Sequence, residues 1–492
     1  MIPATGPGQG AGFGLALLVL HVLIVIVVAL RVIWTRHPPG SSMAWLLLVT
    51  VLPGVGLFAY VLIGERPIGR KRAARARAFL ASLPEAMRRL APPPELSDPD
   101  ILPAPRDGIA RLAARATGIP LMAGSALSLH AGADTILRAI MADIERAGAC
   151  IDMVFYIWAE GGTADEVARA IERAAGRGVR VRLLLDAVGS KVFLKSAWPA
   201  RLRAAGVELE AALPVSFWRI PFQRIDLRLH RKIVIVDDRI GYTGSMNLVD
   251  PRYFKQDAGV GEWVDAMARI EGPGVAALRQ VFAFDWSLQT GRSIGESDPA
   301  SHAARLAVRG PAAVQVVPSG PGTEEHANLR IITEAVNCAR RRLVLTTPYF
   351  VPDEPLSFAL QNAAMRGVEV TLIVPARNDS LLVKYASRWF FDGLLEAGVR
   401  ILQFDAGLLH TKSITVDDTL ALFGTVNLDI RSMRLNFELM LAVHDDAFAA
   451  ALLELQQGYA RDALALDAAA WRARPALERF KEGAAYLAAP LL

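Results

Sequence analysis

The sequence predicts an α/β protein of two similar modules, each a mixed sheet flanked by helices, forming one pseudo-symmetric unit preceded by a two-helix transmembrane hairpin. Three observations carry that prediction. Residues 229–247, LHRKIVIVDDRIGYTGSMN, return in altered form at 409–427, LHTKSITVDDTLALFGTVN, both reading His-x-Lys-x4-Asp-x6-Gly-[Ser/Thr]-x-Asn. The segments ahead of each copy alternate helix-like and strand-like periodicity in the same order. Two apolar runs without charge open the chain.

The first run, 11–30, is apolar throughout except for His21, and the second covers 43–63. Each is about the ~20 residues a helix needs to cross a bilayer. A cleaved signal peptide fits poorly, because no Lys or Arg leads the first run and no small-x-small pattern follows Arg31. Pro53 and Gly54 would kink the second span, which membrane helices tolerate. The loop between the runs carries Arg31 and Arg36, whereas the exit carries Arg66, Arg70, Lys71, Arg72, Arg75, Arg77, Arg88 and Arg89. The positive-inside rule therefore puts both termini and everything after residue 63 in the cytoplasm. The same cluster suits anionic headgroups. Residues 64–71, GERPIGRK, have a superficial P-loop look, but no Ser or Thr follows Lys71 and no soluble strand precedes it, so that reading is rejected.

The boundaries expected from composition are a hairpin at 1–64, a basic and Pro-rich linker at 65–107, module one at 108–295, a connector at 296–310, module two at 311–470 and a tail at 471–492. Six prolines between 91 and 105 read as an extended linker. Module one shows a helical pattern at 133–149, a strand at 151–158, a helix capped by Thr163 and a strand at 179–185. Module two repeats the order, with helices at 324–339, 355–366 and 381–397 and strands at 343–350 and 368–374. The copies lie 180 residues apart, a period that means domain duplication.

Over half the 492 residues are hydrophobic (53%), too apolar for a wholly soluble protein, and the net charge of +5 suits an anionic partner: lipid surface, phosphodiester or nucleic acid. Cys150 and Cys338 are the only cysteines and lie in different halves, so neither a disulfide framework nor a cysteine metal site is indicated.

Side chains two apart on a strand share a face, so His230 with Lys232 and Ser245 with Asn247 would cluster across a hairpin turning at Asp237 and Asp238. The second copy offers His410, Lys412, Thr425 and Asn427. Asp237 and Asp417 have the opposite parity and are expected to pin the turn or a neighbouring strand. One such hairpin alone also reads as a half-buried edge with a surface Lys and a satisfied His. Two copies, in a chain with eight His and eight Lys, favour a site. Asp265, in Glu262-Trp263-Val264-Asp265, and Glu438, in Asn436-Phe437-Glu438, supply one carboxylate per half. A carboxylate on an imidazole N–H fixes its tautomer and stabilises its cation; ordinary pairs to Arg are the alternative. Phe217, Trp218, Ile220 and Phe222 with Arg219 and Arg224, and Tyr385, Trp389, Phe390 and Phe391 with Lys384 and Arg388, suit a membrane interface, single-stranded nucleic acid or core packing. His21, His37, His130, His302, His326 and His444 show no paired ligand spacing.

The doubled motif resembles the phospholipase D superfamily, and the flanking sequence resembles its bacterial cardiolipin synthase branch. The branch resemblance rests on the apolar hairpin ending in Gly64-Glu65, on residues 347–352 (TPYFVP), on Asn436-Phe437-Glu438 and on the closing APLL. It implies modules packed face to face around one site in a bacterial inner-membrane enzyme. One motif His forms a phosphohistidine and the other serves as acid and base, with the carboxylates Asp265 and Glu438 orienting them. Lys232, Lys412, Asn247, Asn427 and Ser245 would hold the phosphate oxygens, and Thr425 keeps the hydroxyl of the commoner Ser. The implied substrate is an anionic phospholipid, phosphatidylglycerol, and the implied partner a bilayer. No nucleic acid is expected, and no cofactor or metal, since no Asp/Glu/His cluster accompanies the motifs. Another phosphatidyltransferase, a phospholipase D, or a non-enzymatic or nucleic-acid-binding protein on the same fold are the rival readings.

Overall fold

The computed structural model describes residues 7–35, 39–64, 68–90, 92–215, 224–294, 307–324 and 326–489. Most of the expected connector, the aromatic run Phe217, Trp218, Ile220 and Phe222 with Arg219, and also Arg36, His37, Arg66 and His302 lie outside them. The chain divides into two compact units: Met1–Arg70 with Val215–Asp226, and Lys71–Pro214 with Leu227–Leu492.

In the first unit, a 28-residue helix spans Pro7–Trp34, and its Gly12–Trp34 portion is long and apolar enough to cross a membrane, with mean hydropathy 3.1. The second expected span is not one helix. Helix Pro39–Val51 ends, Leu52 adopts φ −125° and ψ 76°, and a short helix Pro53–Ala59 runs into a π turn at Tyr60–Gly64. Pro53 has no N–H to donate and disfavours helical geometry in the residue before it, so the run is cut where it was expected only to bend. Neither piece matches the first helix in length.

The expected basic and Pro-rich linker at 65–107 is also largely helical. Residues Arg70–Leu90 form a 21-residue helix. Arg75 Nη1 donates to the carbonyls of Leu288 and Gln289 at 3.0 Å, covering the open end of helix Gly274–Thr290. Short helical turns follow at Pro94–Ser97 and Pro99–Ile101.

Module one contributes β1 (Met122–Ala131), β2 (Cys150–Phe155), β3 (Arg180–Asp186), β4 (Glu208–Ala212), β5 (Ile233–Val236), β6 (Ile240–Gly244), β7 (Trp263–Val264) and β8 (Ala266–Glu271). Module two contributes β9 (Ala312–Ser319), β10 (Arg342–Thr346), β11 (Phe350–Val351), β12 (Glu369–Pro375), β13 (Arg400–Phe404) and β14 (Leu408–Leu409). It continues with β15 (Ser413–Val416), β16 (Leu420–Gly424), β17 (Leu428–Asp429), β18 (Glu438–His444) and β19 (Ala463–Ala465). Fifteen of these strands form one mixed sheet. From its centre, the order β1-β8-β6-β5-β2-β3-β4 on one side matches β9-β18-β16-β15-β10-β12-β13 on the other. The centre is the antiparallel pair β1 and β9, with Met122 opposite Val314 and Ser125 opposite Ala312. The modules therefore join edge to edge, a correction to the face-to-face expectation. Pairing two edge strands satisfies N–H and C=O groups that each module alone would leave open.

Within module one, helices Ala133–Arg146 and Gly162–Gly176 bury Ile136, Ile140, Val167 and Ile171 against Met153 and Leu183 of the sheet. The four-residue spacing of those side chains made the helices predictable. Cys150 is buried and Cys338 half-buried, and both are free.

Candidate functional site

Each motif turns through two aspartates in left-handed conformation, Asp237 and Asp238 (φ 52° and 55°) and Asp417 and Asp418 (φ 48° and 62°). Two consecutive turn residues at positive φ normally select Asn or Gly. Here the first carboxylate of each pair offsets the backbone cost. Asp237 accepts from the N–H groups of Gly148, Ala149 and Cys150 at 2.7–2.9 Å, and Asp417 from those of Arg340, Arg341 and Arg342 at 2.7–3.0 Å. Each thereby pins the hairpin to the strand beside it.

The hairpin strands begin later than the alternation suggested. β5 starts at Ile233 and β15 at Ser413, so the His-x-Lys tripeptides precede them as extended approaches. Those approaches pair across the modules. Leu229 forms a parallel bridge with Phe437, and the N–H of His230 donates to Phe437 O at 2.9 Å. Strand β14 pairs in parallel with β7, and the N–H of His410 donates to Val264 O at 2.9 Å. The next residue on each partner segment is the carboxylate. His230 Nδ1 lies 2.9 Å from Glu438 Oε2, and His410 Nδ1 lies 2.7 Å from Asp265 Oδ1. Each half thus supplies the carboxylate for the other half's histidine.

The hydroxyls sit behind these carboxylates. Ser245 Oγ donates to Asp265 Oδ1 at 2.5 Å and Thr425 Oγ1 to Glu438 Oε2 at 2.6 Å; each also accepts a backbone N–H, from Ala266 and Leu439. Both residues are fully buried. Ser245, expected to hold a phosphate oxygen, here directs its proton to Asp265. Lys232 and Lys412 are buried and curl back to the carbonyl of their own motif histidine.

Both histidines line a cavity of about 330 Å³ with Asn247, Asn427 and Asn436. Asn247 Oδ1 accepts from the N–H of Ile157 at 3.1 Å, whereas Asn427 Oδ1 is buried without a hydrogen-bond partner among the described residues. Burial depresses each imidazole to about 4, opposed by its own carboxylate. Burial raises Glu438 and Asp265 in turn, yet the facing histidine and the lysines hold both below the ordinary range. Burial also lowers Lys232 to about 8 and Lys412 well below a free lysine. The resting arrangement is a neutral imidazole donating from Nδ1 to a charged carboxylate, with Nε2 left for the cavity. Two such imidazoles beside two buried ammonium groups can attack an anionic phosphoryl centre and move a proton there.

The motif pattern did not point to several residues around the site. The Tyr156 ring lies 4.9 Å from His230 and the Trp263 ring 4.3 Å from His410, centroid to centroid. Asp186 accepts from the N–H of Leu229 at 2.9 Å, fixing the first approach. Arg231 is fully buried, and its Nε donates to Glu438 O at 2.9 Å. On the cavity wall, Asp379 accepts from the Tyr349 hydroxyl at 2.9 Å and lies 3.3 Å from Lys255 Nζ. Trp263 and Tyr349 stood inside quoted motifs; Lys255 and Asp379 carried no sequence signal. Among the described residues no group of three or more His, Cys, Asp or Glu is arranged to hold a metal ion.

The sequence profile of the family described as "Cardiolipin synthase, PLD-like domain" matches residues 140–286 and 332–457, and that of "Phospholipase_D-nuclease N-terminal" matches 23–65. Cardiolipin synthase A of Edwardsiella ictaluri is 45% identical over 469 residues, 94% of this chain and 96% of that one. Cardiolipin synthase A of Serratia proteamaculans is 46% identical over 465 residues, with the same coverage. Phosphatidylserine synthase of Haemophilus influenzae shares the fold, with TM-score 0.58 at 17% identity over 78% of this chain and all of that one. With both motif-bearing halves and the N-terminal segment matched, the chain belongs to the cardiolipin synthase family of PLD-like proteins.

Proposed function

We propose that the protein transfers a phosphatidyl group from one phosphatidylglycerol to another, releasing glycerol and forming cardiolipin. Nε2 of His230 attacks phosphorus, the bond from phosphorus to the glycerol oxygen breaks, and His410 gives that oxygen its proton. His410 then takes the proton of a second phosphatidylglycerol hydroxyl, whose oxygen displaces His230 from phosphorus. Atoms balance, and both imidazoles return to their starting state. The anionic phosphodiester raises the proton affinity of the buried imidazole beside it, charging the acid when substrate is present. Lys232, Lys412, Asn247 and Asn427 hold the non-bridging oxygens, a task otherwise given to a cation.

What supports this reading most is the pair of imidazoles on one cavity, each with Nδ1 on a carboxylate of the opposite module. The apolar helix Gly12–Trp34 supports a membrane anchor. Two passages, with 39–64 as the second and the modules in the cytoplasm of a bacterial inner membrane, complete the reading; a C-terminal tag should be unreachable from outside that membrane.

The decisive experiment is mass spectrometry of lipids after purified protein is incubated with phosphatidylglycerol alone in EDTA. Cardiolipin and glycerol in equal amounts are expected. Phosphatidic acid in their place would make the protein a phospholipase, and no lipid product beside cleaved nucleic acid would remove the lipid reading.

A further inference from the structure

Helix Ala476–Tyr486 runs antiparallel to helix Leu381–Glu396, with Ala485 and Ala489 packed on Val383 and Ala386 and Arg388 bonded to Glu482. It buries Glu482 and Ala485 and turns its other side outward. On that outer side stand Leu477, Phe480, Ala484 and Leu487, spaced by three, four and three residues, so they share one stripe. Phe480 is 72% exposed and Leu487 82%. An ordinary soluble helix presents polar residues there. The neighbouring helix extends the patch with Leu381, 72% exposed, at its first residue. Lys384 and Lys481 flank it, their Nζ atoms 6.0 and 5.7 Å from the same Tyr385 ring.

The first turn of the neighbouring helix also reaches the catalytic cavity, which Ser380 and Val383, on either side of Leu381 and Leu382, line. The aromatic residues of the neighbouring helix serve a different purpose, although Trp389 is 45% exposed. Trp389 stacks on Tyr486 and Phe391 packs on Trp471, so they serve as helix-to-helix packing.

We infer that this face docks on an anionic phospholipid bilayer and sets the mouth of the cavity at the lipid surface. The inference rests on the phospholipid reading above and adds a surface to it. Apolar side chains enter the acyl boundary while the two lysines meet headgroup phosphates. A two-chain lipid can then bring its headgroup to the histidines without fully leaving the bilayer, lowering the cost of exposing its chains to water.

The test uses full-length protein in proteoliposomes of phosphatidylglycerol and phosphatidylcholine, compared with short-chain phosphatidylglycerol dispersed as monomers. Phe480→Asp with Leu487→Asp should lower turnover in vesicles by about tenfold or more while leaving the dispersed substrate unchanged. Met365→Asp, an equally exposed position on another helix, should change neither. Independently of activity, a nitroxide on Phe480→Cys in a Cys338→Ser background should be reached by oxygen and shielded from water-soluble nickel. Cys150, buried with its thiol pushed up to about 11, stays unlabelled. Unchanged vesicle turnover, equal loss on both substrates, or a label that stays in water overturns the inference. A change in oligomeric state with no vesicle-specific loss assigns the face to a second copy of the chain and overturns it too. If the unaltered protein turns over neither substrate, the functional reading fails, and the label still reports on docking.

Discussion

The two halves of the site share a motif, a strand order and a hydrogen-bond plan, yet they differ in the atoms that finish it. In one half Glu438 reaches His230 from the start of β18, and in the other the shorter Asp265 reaches His410 from the gap between β7 and β8. The residue inside the first motif is Arg231, buried and tied to Glu438 O, Ser319 O and Asp285; inside the second it is Thr411, bonded to Val264 O and the Tyr459 hydroxyl. Asn247 has its oxygen committed to Ile157, whereas that of Asn427 has no partner among the described residues. The backbone duplication thus makes two equivalent imidazoles, and the surrounding side chains make them unequal. Because each carboxylate serves the opposite half, neither module carries a complete histidine of its own.

The largest break in that comparison should come from the histidines. His230→Ala and His410→Ala should each lower phosphatidyl transfer by roughly 10^4-fold or more. A donor with a good leaving group needs no acid, so with a labelled phosphatidyl group His410→Ala should retain label on His230 and His230→Ala none. Label on His410 in the His230→Ala protein would reverse the roles.

The carboxylates test the crossing itself. Glu438→Gln and Asp265→Asn should each cost roughly 10^2- to 10^4-fold in kcat, as loss of an orienting carboxylate does. With the activated donor, label should accumulate in Asp265→Asn, which impairs His410, and form slowly in Glu438→Gln, which impairs His230. The opposite pattern would mean that each carboxylate serves its own half.

Acid should reveal both histidines as a stability effect. Each imidazole sits near 4 in the folded protein against an ordinary 6.5. The unfolded chain therefore binds more protons between those values. The stability from burying neutral imidazole is complete above pH 6.5 and is lost as pH falls through 4, by about 3 kcal/mol for each histidine. Buried His444, pushed down to about 3, adds a contribution of the same sign. Melting temperature against pH should flatten by equal steps in His230→Gln and His410→Gln, and a step in only one would show the two environments to differ more than their hydrogen bonds do.

The smallest effect should come from the turn aspartates. Asp237→Ala and Asp417→Ala each remove acceptors for three backbone N–H groups outside the cavity, so stability should fall by about 2 kcal/mol with kcat of the folded fraction little changed. A selective loss of kcat, measured beside the denaturant midpoint, would give either aspartate a part in the chemistry.

Much of this was legible in the chain itself. The duplication, the α/β class and the first apolar helix follow from spacing and from motif resemblance, because side-chain periodicity and turn chemistry are local properties that sequence encodes directly. Parity alone placed Asp237 and Asp417 away from the histidines, where the hairpin turns hold them. What periodicity missed was also local: the cut at Leu52 and the helix at Arg70–Leu90, since a proline can bend a run or end it, and a basic stretch reads alike as linker or helix.

The tertiary structure alone decided the rest. That β1 meets β9 edge to edge, that Phe437 receives His230 and Val264 receives His410, and that Ser245 lies behind Asp265 all depend on pairings between residues far apart in sequence. Strand pairing and carboxylate reach are set by the three-dimensional register of two modules, and a pseudo-twofold leaves no mark in either copy to say which carboxylate crosses it. The duplicated sequence determined that there would be two of everything, and the pairing of the modules determined which of the two works on which.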